Sequence, residues 1–178
     1  MSKKVLILSG SPRKRGNSDL LCYEFLIGAK EAGNEVEKIF ISNKKIGYCT
    51  GCYTCAQSSR CIQKDDMDEI LEKMIQADVI VMATPVYFYS IDAQLKTLID
   101  RTVARYTEIN NKEFYFIATA AENDKSTLER TIECLRGFTD CLEGSNVKGV
   151  IYGTGAWQKG DIEGSEAMKE AYDMGKNV

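Results

Sequence analysis

Short apolar runs alternate with amphipathic stretches along the whole chain, and this alternation limits the possible folds more than any other feature. The run at 79–83 is entirely apolar, which is typical of a strand buried on both faces. The stretch at 18–32 places Leu21 and Phe25 on one side of a helix and ends at Gly33-Asn34, a helix stop signal. The pattern predicts strands over 4–8, 35–41, 79–83, 113–119 and 147–152, and helices over 18–32, 66–77, 91–103, 126–142 and 163–174.

Regular alternation of strands and helices predicts an α/β protein with a parallel sheet and helices on both faces. Five strands suit the doubly wound, flavodoxin-like order 2-1-3-4-5, in which the ligand site lies at the carboxyl ends of the first and third strands. We expect residues 1–178 to form a single domain, because no linker, repeat or low-complexity tract interrupts the pattern. The segment 42–65 has no clear periodicity, and its length predicts a functional, cysteine-rich insertion loop.

The charge balance argues against strongly charged partners. The chain has 23 basic and 26 acidic residues and a net charge of −3, so we expect no nucleic-acid partner and no membrane-surface binding. No apolar run approaches the ~20 residues of a membrane span, and residues 3–8 are too short for a secretory leader, so we expect a cytoplasmic location. The complete absence of histidine excludes Ser-His-Asp catalysis and histidine metal sites.

A polar turn follows the first predicted strand and leads directly into the first helix. Residues 9–18 combine serine hydroxyls, Gly16 and the cation of Arg13. Backbone N–H groups at the positive end of a helix dipole favour phosphate binding. The turn matches neither the Walker A nor the G-x-G-x-x-G pattern. The simpler interpretation is an ordinary polar loop with Asn17 or Ser18 as the helix N-cap.

Three consecutive aromatic residues, Tyr87, Phe88 and Tyr89, follow the third predicted strand. Loops are usually polar, so three rings at this position call for a function. The topology places them beside the polar turn at residues 9–18. An aromatic wall next to a phosphate site suits a flat heterocycle with a phosphorylated tail. Alternatively, the rings close the end of the sheet or contact another subunit.

Four of the seven cysteines, Cys49, Cys52, Cys55 and Cys61, fall within thirteen residues. Such crowding in a cytoplasmic chain indicates metal binding or redox work rather than structural disulfides. Four thiolates can hold a [4Fe–4S] cluster or a zinc ion, and two of them could instead form a reversible disulfide. The compact spacing favours iron, because zinc sites usually separate two Cys-x-x-Cys pairs by about a dozen residues or more. Three further cysteines are expected to be buried small hydrophobic residues: Cys22, Cys134 and Cys141.

Several segments together carry a resemblance to one known family. They are 10–13, 16–18, 84–87, 153–157 and Lys96 with Asp100-Arg101. In this combination they resemble the NADPH-dependent FMN reductase family, over nearly the whole chain. The cysteine spacing and the following segment 65–67 are similar to the iron–sulfur flavoprotein branch of that family.

The resemblance implies an FMN site built from three turns. The phosphate would lie at Ser9, Ser11, Arg13, Asn17 and Ser18. The isoalloxazine ring would lie against Pro85, Val86, Tyr87, Phe88 and Tyr89. The turn after the fourth strand, with Thr119 and Ala120, would complete the site, although relatives often have glycines there. The resemblance further implies a [4Fe–4S] cluster on Cys49, Cys52, Cys55 and Cys61.

The implied function is an FMN-dependent oxidoreductase that uses NAD(P)H as electron donor. It would transfer electrons to a small-molecule acceptor or exchange them with a ferredoxin-like protein, and a cluster would relay single electrons. No catalytic acid or base is required, because hydride transfer is the chemistry of the cofactor. The alternative is a non-enzymatic electron-transfer flavoprotein that carries electrons between ferredoxin-like partners.

The resemblance also implies a homodimer or a homotetramer. One side of a flavin at the switch point of such a small domain stays open. We therefore expect Phe88, Tyr89 and the helix that carries Lys96 and Arg101 to pack against a second subunit, with the same patch on both partners.

Overall fold

A computed structural model describes residues 2–178, whose core is one parallel five-stranded sheet. The strands are β1 (Lys4–Ser9), β2 (Glu35–Phe40), β3 (Val79–Pro85), β4 (Glu113–Thr119) and β5 (Asn146–Gly153). The helices are α1 (Asn17–Glu31), α2 (Cys55–Ser58), α3 (Met67–Gln76), α4 (Ala93–Arg101), α5 (Glu129–Thr139) and α6 (Glu166–Lys176). Single 3₁₀ turns cover Ile41–Asn43, Thr102–Ala104, Tyr106–Glu108 and Lys125–Leu128.

The strand order is β2-β1-β3-β4-β5, with every neighbouring pair parallel. The predicted flavodoxin-like α/β fold is therefore confirmed. The chain moves from β1 outward to β2 and then returns across β1 to β3. This reversal creates a switch point at the carboxyl ends of β1 and β3, where an open α/β sheet leaves a crevice.

Each face of the sheet has its own hydrophobic core. Side chains alternate along β4, so Phe114 and Phe116 point to one core while Tyr115 and Ile117 point to the other. The first core is covered by α3, α4 and α5, and the second by α1 and α6. Because both faces are buried at the centre of the sheet, β1, β3 and β4 are apolar on both sides, which is why their sequence pattern is so clear.

Helices α1 and α6 pack backbone against backbone through two glycines. A Cβ at Gly28 would collide with the carbonyl oxygen of Tyr172, and one at Gly175 would collide with that of Phe25. Only a residue without a side chain permits this approach. The first and last helices therefore form one tight layer, in which α1 covers β1 to β4 and α6 covers β5.

Two expectations about single residues are wrong. Cys22 is buried as predicted, but Cys134 and Cys141 are exposed, because they lie on the solvent side and at the end of α5. The N-cap residue of α1 is Gly16, not Asn17 or Ser18. Within residues 2–178, no helix combines the length and the apolar character needed to cross a membrane.

Candidate functional site

A cleft of about 440 Å³ opens at the switch point, at the carboxyl ends of β1, β3 and β4. Its volume lies in the usual range of ligand sites. Eleven of the twelve residues predicted for the cofactor line it: Ser11, Arg13, Asn17, Ser18, Pro85, Val86, Tyr87, Phe88, Tyr89, Thr119 and Ala120. The other lining residues are Gly16, Ala121, Glu122, Ala156, Trp157 and Lys159. We call this space the switch-point cleft.

The polar turn that leads into α1 forms one wall of the switch-point cleft. The hydroxyl of Ser11 donates to the carbonyl of Arg13 at 3.0 Å and accepts from its N–H at 3.2 Å. A Cβ at Gly16 would lie 2.8 Å from Ser11 Oγ and 2.9 Å from the carbonyl oxygen of Arg13. The turn is thus compact only because residue 16 is glycine. Its first helical N–H groups have no partner within the helix and can receive an anion.

Ser18 is the most informative residue of this wall. Its residue surface is 1% exposed, yet its hydroxyl has no hydrogen-bond partner within the protein. An unpaired buried hydroxyl costs about 1–3 kcal/mol. The position at the start of α1 places it where a phosphate oxygen would provide the missing partner, so the polar turn fits a phosphorylated cofactor.

Ser9 is the one predicted cofactor residue that does not line the switch-point cleft. Its hydroxyl donates to Asp19 Oδ1 at 2.9 Å on the buried side of the turn. Asp19 also accepts from Lys38 Nζ at 2.8 Å and from the N–H of Arg15 at 2.9 Å. Ser9 therefore stabilises the base of the polar turn instead of facing the cleft.

Asn17 joins the polar turn to the loop that follows β5. Its side-chain amide donates to the carbonyls of Ala156 at 3.2 Å and Gln158 at 2.8 Å, and its Oδ1 accepts from the N–H of Gly160 at 3.0 Å. Both amide hydrogens are thereby used, which leaves the backbone N–H of Asn17 for a ligand. The loop after β5 forms a wall of the cleft that sequence reasoning missed, although the carboxyl end of β5 and its glycines were the available signal.

The aromatic residues form a two-residue hairpin turn, which we call the aromatic turn (residues 87–90). Tyr87 and Ser90 exchange two backbone hydrogen bonds of 3.0 Å. Phe88 and Tyr89 lie between them with φ values of +50° and +58°. Asn and Gly normally occupy such a turn, because a side chain in this conformation costs about 1–2 kcal/mol. The ring of Phe88 is fully exposed, and that of Tyr89 lies 5.8 Å from the guanidinium carbon of Arg130.

Asp92 connects the turns that follow β1 and β3. It accepts from Thr84 Oγ1 at 2.8 Å and from the N–H of Leu95 at 2.9 Å, which caps α4. A Cβ at Gly10 would collide with its carboxylate, so only glycine fits there. Burial raises the pKa of Asp92 above its ordinary value, because the charged form is removed from water, although these hydrogen bonds oppose the shift.

The four clustered cysteines line a second cavity of about 230 Å³, which we call the cysteine cavity. Its walls are largely apolar and include Ile62, Val103 and Ala104. Hydrogen bonds from the backbone and hydroxyl of Thr54 lower the pKa of the Cys52 thiol, which favours the thiolate that a metal requires.

The cysteines are spread around the cysteine cavity instead of meeting at one point. Among residues 2–178, no three His, Cys, Asp or Glu side chains converge on a position for a single ion. A tetrahedral zinc site needs such convergence. In a cubane each thiolate binds a different iron, so four cysteines that line one cavity are compatible with a cluster.

A buried ion pair closes the cysteine cavity at the end of α4. Arg101 Nη1 and Nη2 donate to the two carboxylate oxygens of Asp65 at 2.7 and 3.1 Å, and Nη1 also donates to the carbonyl of Gly47 at 2.6 Å. Burial disfavours the charged form of Asp65, but Arg101 and the N–H groups of Gly47 and Met67 lower its pKa. The Arg101 side chain is buried within this chain, so a contact of α4 with a second subunit, which stays a prediction, would use other residues of the helix.

Comparison with known proteins agrees with this geometry. The family model of the NADPH-dependent FMN reductases matches residues 3–158. An iron–sulfur flavoprotein of Methanocaldococcus jannaschii is 36% identical over 184 residues, which covers 98% of this chain and 95% of that protein. The chain belongs to the NADPH-dependent FMN reductase family. Within this family of flavin-dependent oxidoreductases, it belongs to the iron–sulfur flavoprotein branch.

Other relatives match only part of their own length. An iron–sulfur flavoprotein of Archaeoglobus fulgidus is 46% identical over 98 residues, which is 55% of this chain and 44% of that protein. The solved structure of a flavone reductase superposes on 98% of this chain with a TM-score of 0.74 and 26% identity, and the match covers 61% of that protein. These two proteins thus share a family or a fold with this chain, although each is longer than the region that matches.

Proposed function

We propose that this member of the NADPH-dependent FMN reductase family takes electrons from NAD(P)H by way of FMN bound in the switch-point cleft. The flavin would transfer the electrons to a small-molecule acceptor or exchange them with a ferredoxin-like protein. The unpaired, buried hydroxyl of Ser18 at the start of α1 carries this proposal, because it stands where a phosphate would bind. The adjoining aromatic turn supports it with a surface for a flat ring.

Each wall of the switch-point cleft has a task in this proposal. Ser11, Arg13 and Ser18 would hold the phosphate, with the positive end of the α1 dipole behind them. Val86 and the aromatic turn would orient the ring and exclude water from one of its faces. When bound, FMN supplies hydride and single-electron chemistry, so the protein needs no acid or base of its own.

We further propose that residues 42–65 are an insertion within a single domain of residues 1–178, and that the insertion holds a [4Fe–4S] cluster. The ligands would be Cys49, Cys52, Cys55 and Cys61, which share the cysteine cavity. A cluster, when bound, supplies single-electron transfer. The exposed position of Cys49 and Cys52 gives a partner protein access to this end of the molecule.

The flavin proposal is tested by denaturing the purified protein and chromatographing the released chromophore. We expect FMN, or FMN binding at micromolar concentration when the protein is purified without it. Arg13→Ala should weaken binding by about 1.5–3 kcal/mol if the guanidinium contacts phosphate. Arg136→Ala removes an equal charge from α5, outside the cleft, and should leave affinity unchanged. Absence of FMN binding would refute the proposal.

The cluster proposal is tested on protein produced and kept without oxygen. We expect roughly four iron and four sulfide per chain, as one cubane requires. Cys52→Ser should remove the iron and leave FMN bound, because the switch-point cleft is formed by other turns. Cys134→Ser, which changes an exposed cysteine on α5, should retain both cofactors. Stoichiometric zinc in place of iron would make the insertion a structural metal site.

A further inference from the structure

Arg101 has one hydrogen-bond donor that its structural contacts do not use. Its residue surface is 2% exposed, and it lies among the residues that line the cysteine cavity. Nη1 and Nη2 donate to Asp65, Gly47 and Gln63, whereas Nε is buried and has no partner. A buried N–H of a charged group that lacks an acceptor is costly, because it has lost its water.

A purely structural role explains only part of this arrangement. The Nη groups, through Asp65, Gly47 and Gln63, are sufficient to join α4 to the segment before α3. This structural role leaves the free Nε and the place of Arg101 in the cavity wall without a reason. Arg101 lines the same cavity as Cys61, so its guanidinium and the Cys61 thiol face a shared space.

The positive charge of Arg101 explains its place in the cavity wall. Asp65 balances this charge, so that the pair is neutral as a unit within walls that are largely apolar. A cubane bound by four thiolates is anionic and gains a further negative charge on reduction. A positive group fixed at low dielectric beside it stabilises the reduced form more than the oxidised form.

We propose that Arg101 is a positioning residue for the electron-transfer centre in the cysteine cavity. Its Nε–H donates to the sulfur of Cys61, and its charge raises the reduction potential of that centre. Asp65 holds the guanidinium in place and limits this effect. The inference rests on the proposed cluster and adds a residue outside the cysteine motif that controls its potential.

The test is a redox titration of anaerobic protein in which the reduced cluster is followed by electron paramagnetic resonance. At a fixed solution potential, Arg101→Gln should lower the ratio of reduced to oxidised cluster at least about tenfold, which is about 59 mV for one electron. Asp65→Asn should change the ratio in the opposite direction. Arg105→Gln removes an equal charge from a partly exposed arginine paired with Glu72 and Glu108, outside the cavity wall, and should change the ratio less than about twofold.

A purely structural role would not shift the reduction potential in opposite directions in Arg101→Gln and Asp65→Asn. Equal potentials for iron-loaded Arg101→Gln and Arg105→Gln would overturn the inference while leaving the cluster intact. If Arg101→Gln loses its iron, Arg101→Lys, which keeps the charge, should retain the cluster, and an unchanged potential in Asp65→Asn would then overturn the inference. Wild-type protein without iron would refute the cluster itself.

Discussion

Two buried polar residues, Ser18 in the wall of the switch-point cleft and Asp92 behind it, differ in how their hydrogen bonds are satisfied. Asp92 has all its partners inside the protein and fixes the turns after β1 and β3. The hydroxyl of Ser18 has none. Asp92 thus stabilises the fold in the absence of a ligand, whereas the hydroxyl of Ser18 is useful only when something binds.

Ser18→Ala should therefore change ligand binding and protein stability in opposite directions. The alanine removes an unpaired buried hydroxyl, so we expect the cofactor-free protein to be at least as stable as the wild type in urea unfolding. We expect FMN to bind about 1.5–3 kcal/mol more weakly, as measured by quenching of flavin fluorescence. Ser126→Ala, which removes an exposed hydroxyl bonded to Asp124, is the matched control. An equal loss of stability in the cofactor-free state would mean that Ser18 has an internal partner.

Asp92→Asn should flatten the acid side of the stability profile. Because the folded-state pKa of Asp92 is raised, the folded protein binds this proton more tightly than the unfolded chain. Its contribution is complete below the unfolded pKa of about 3.9 and is lost as pH rises through the higher folded pKa. Asparagine keeps the N-cap of α4, since Asn and Asp cap equally well. We therefore expect the unfolding free energy of the variant to rise relative to that of the wild type as the pH increases from 3.5 to 7. A difference that does not change with pH would contradict the raised pKa.

At the scale of elements, the aromatic turn combines local strain with exposed rings. Strain of this kind persists at sites where the surrounding structure or a ligand requires it. Replacing Phe88-Tyr89 with Asn-Gly should raise the unfolding free energy of the cofactor-free protein by about 1–2 kcal/mol and weaken FMN binding. Phe88→Ala keeps a side chain at positive φ, so it should remove the ring without the gain in stability. No gain with Asn-Gly would mean that the turn is unstrained.

The sequence predicted the strands more accurately than the helix ends. Apolar runs define a strand buried on both faces, and β4 was predicted to the residue at Glu113–Thr119. Helix starts depend on local caps and turns that apolar periodicity does not show. Helix α4 begins at Ala93 because Asp92 caps it, and the turn before α5 is a 3₁₀ turn at Lys125–Leu128. The loop after β5 was missed as a wall of the cleft, because the contact from Asn17 to Gly160 spans most of the chain.

At the scale of the whole molecule, we expect the protein to be a homodimer or a homotetramer. Phe88 is fully exposed beside the switch-point cleft, where a second subunit would cover it. Phe88→Glu should lower the mass measured by light scattering at tens of micromolar protein. Tyr23→Glu, a change at a half-exposed aromatic residue on α1, should leave the mass unchanged. A monomeric wild type would contradict this expectation.

The glycine contacts between α1 and α6 bear on the order of events during synthesis. Gly28 leaves the ribosome early and Gly175 near the end of the described chain, so the layer that covers one face of the sheet cannot close until translation of α6 is finished. The polar turn runs straight into α1 and is tied by Asn17 to the loop just before α6. A nascent chain stalled before α6 therefore has a complete cysteine segment but an unsupported phosphate wall, and we expect FMN capture only once α6 has been translated and has packed on α1.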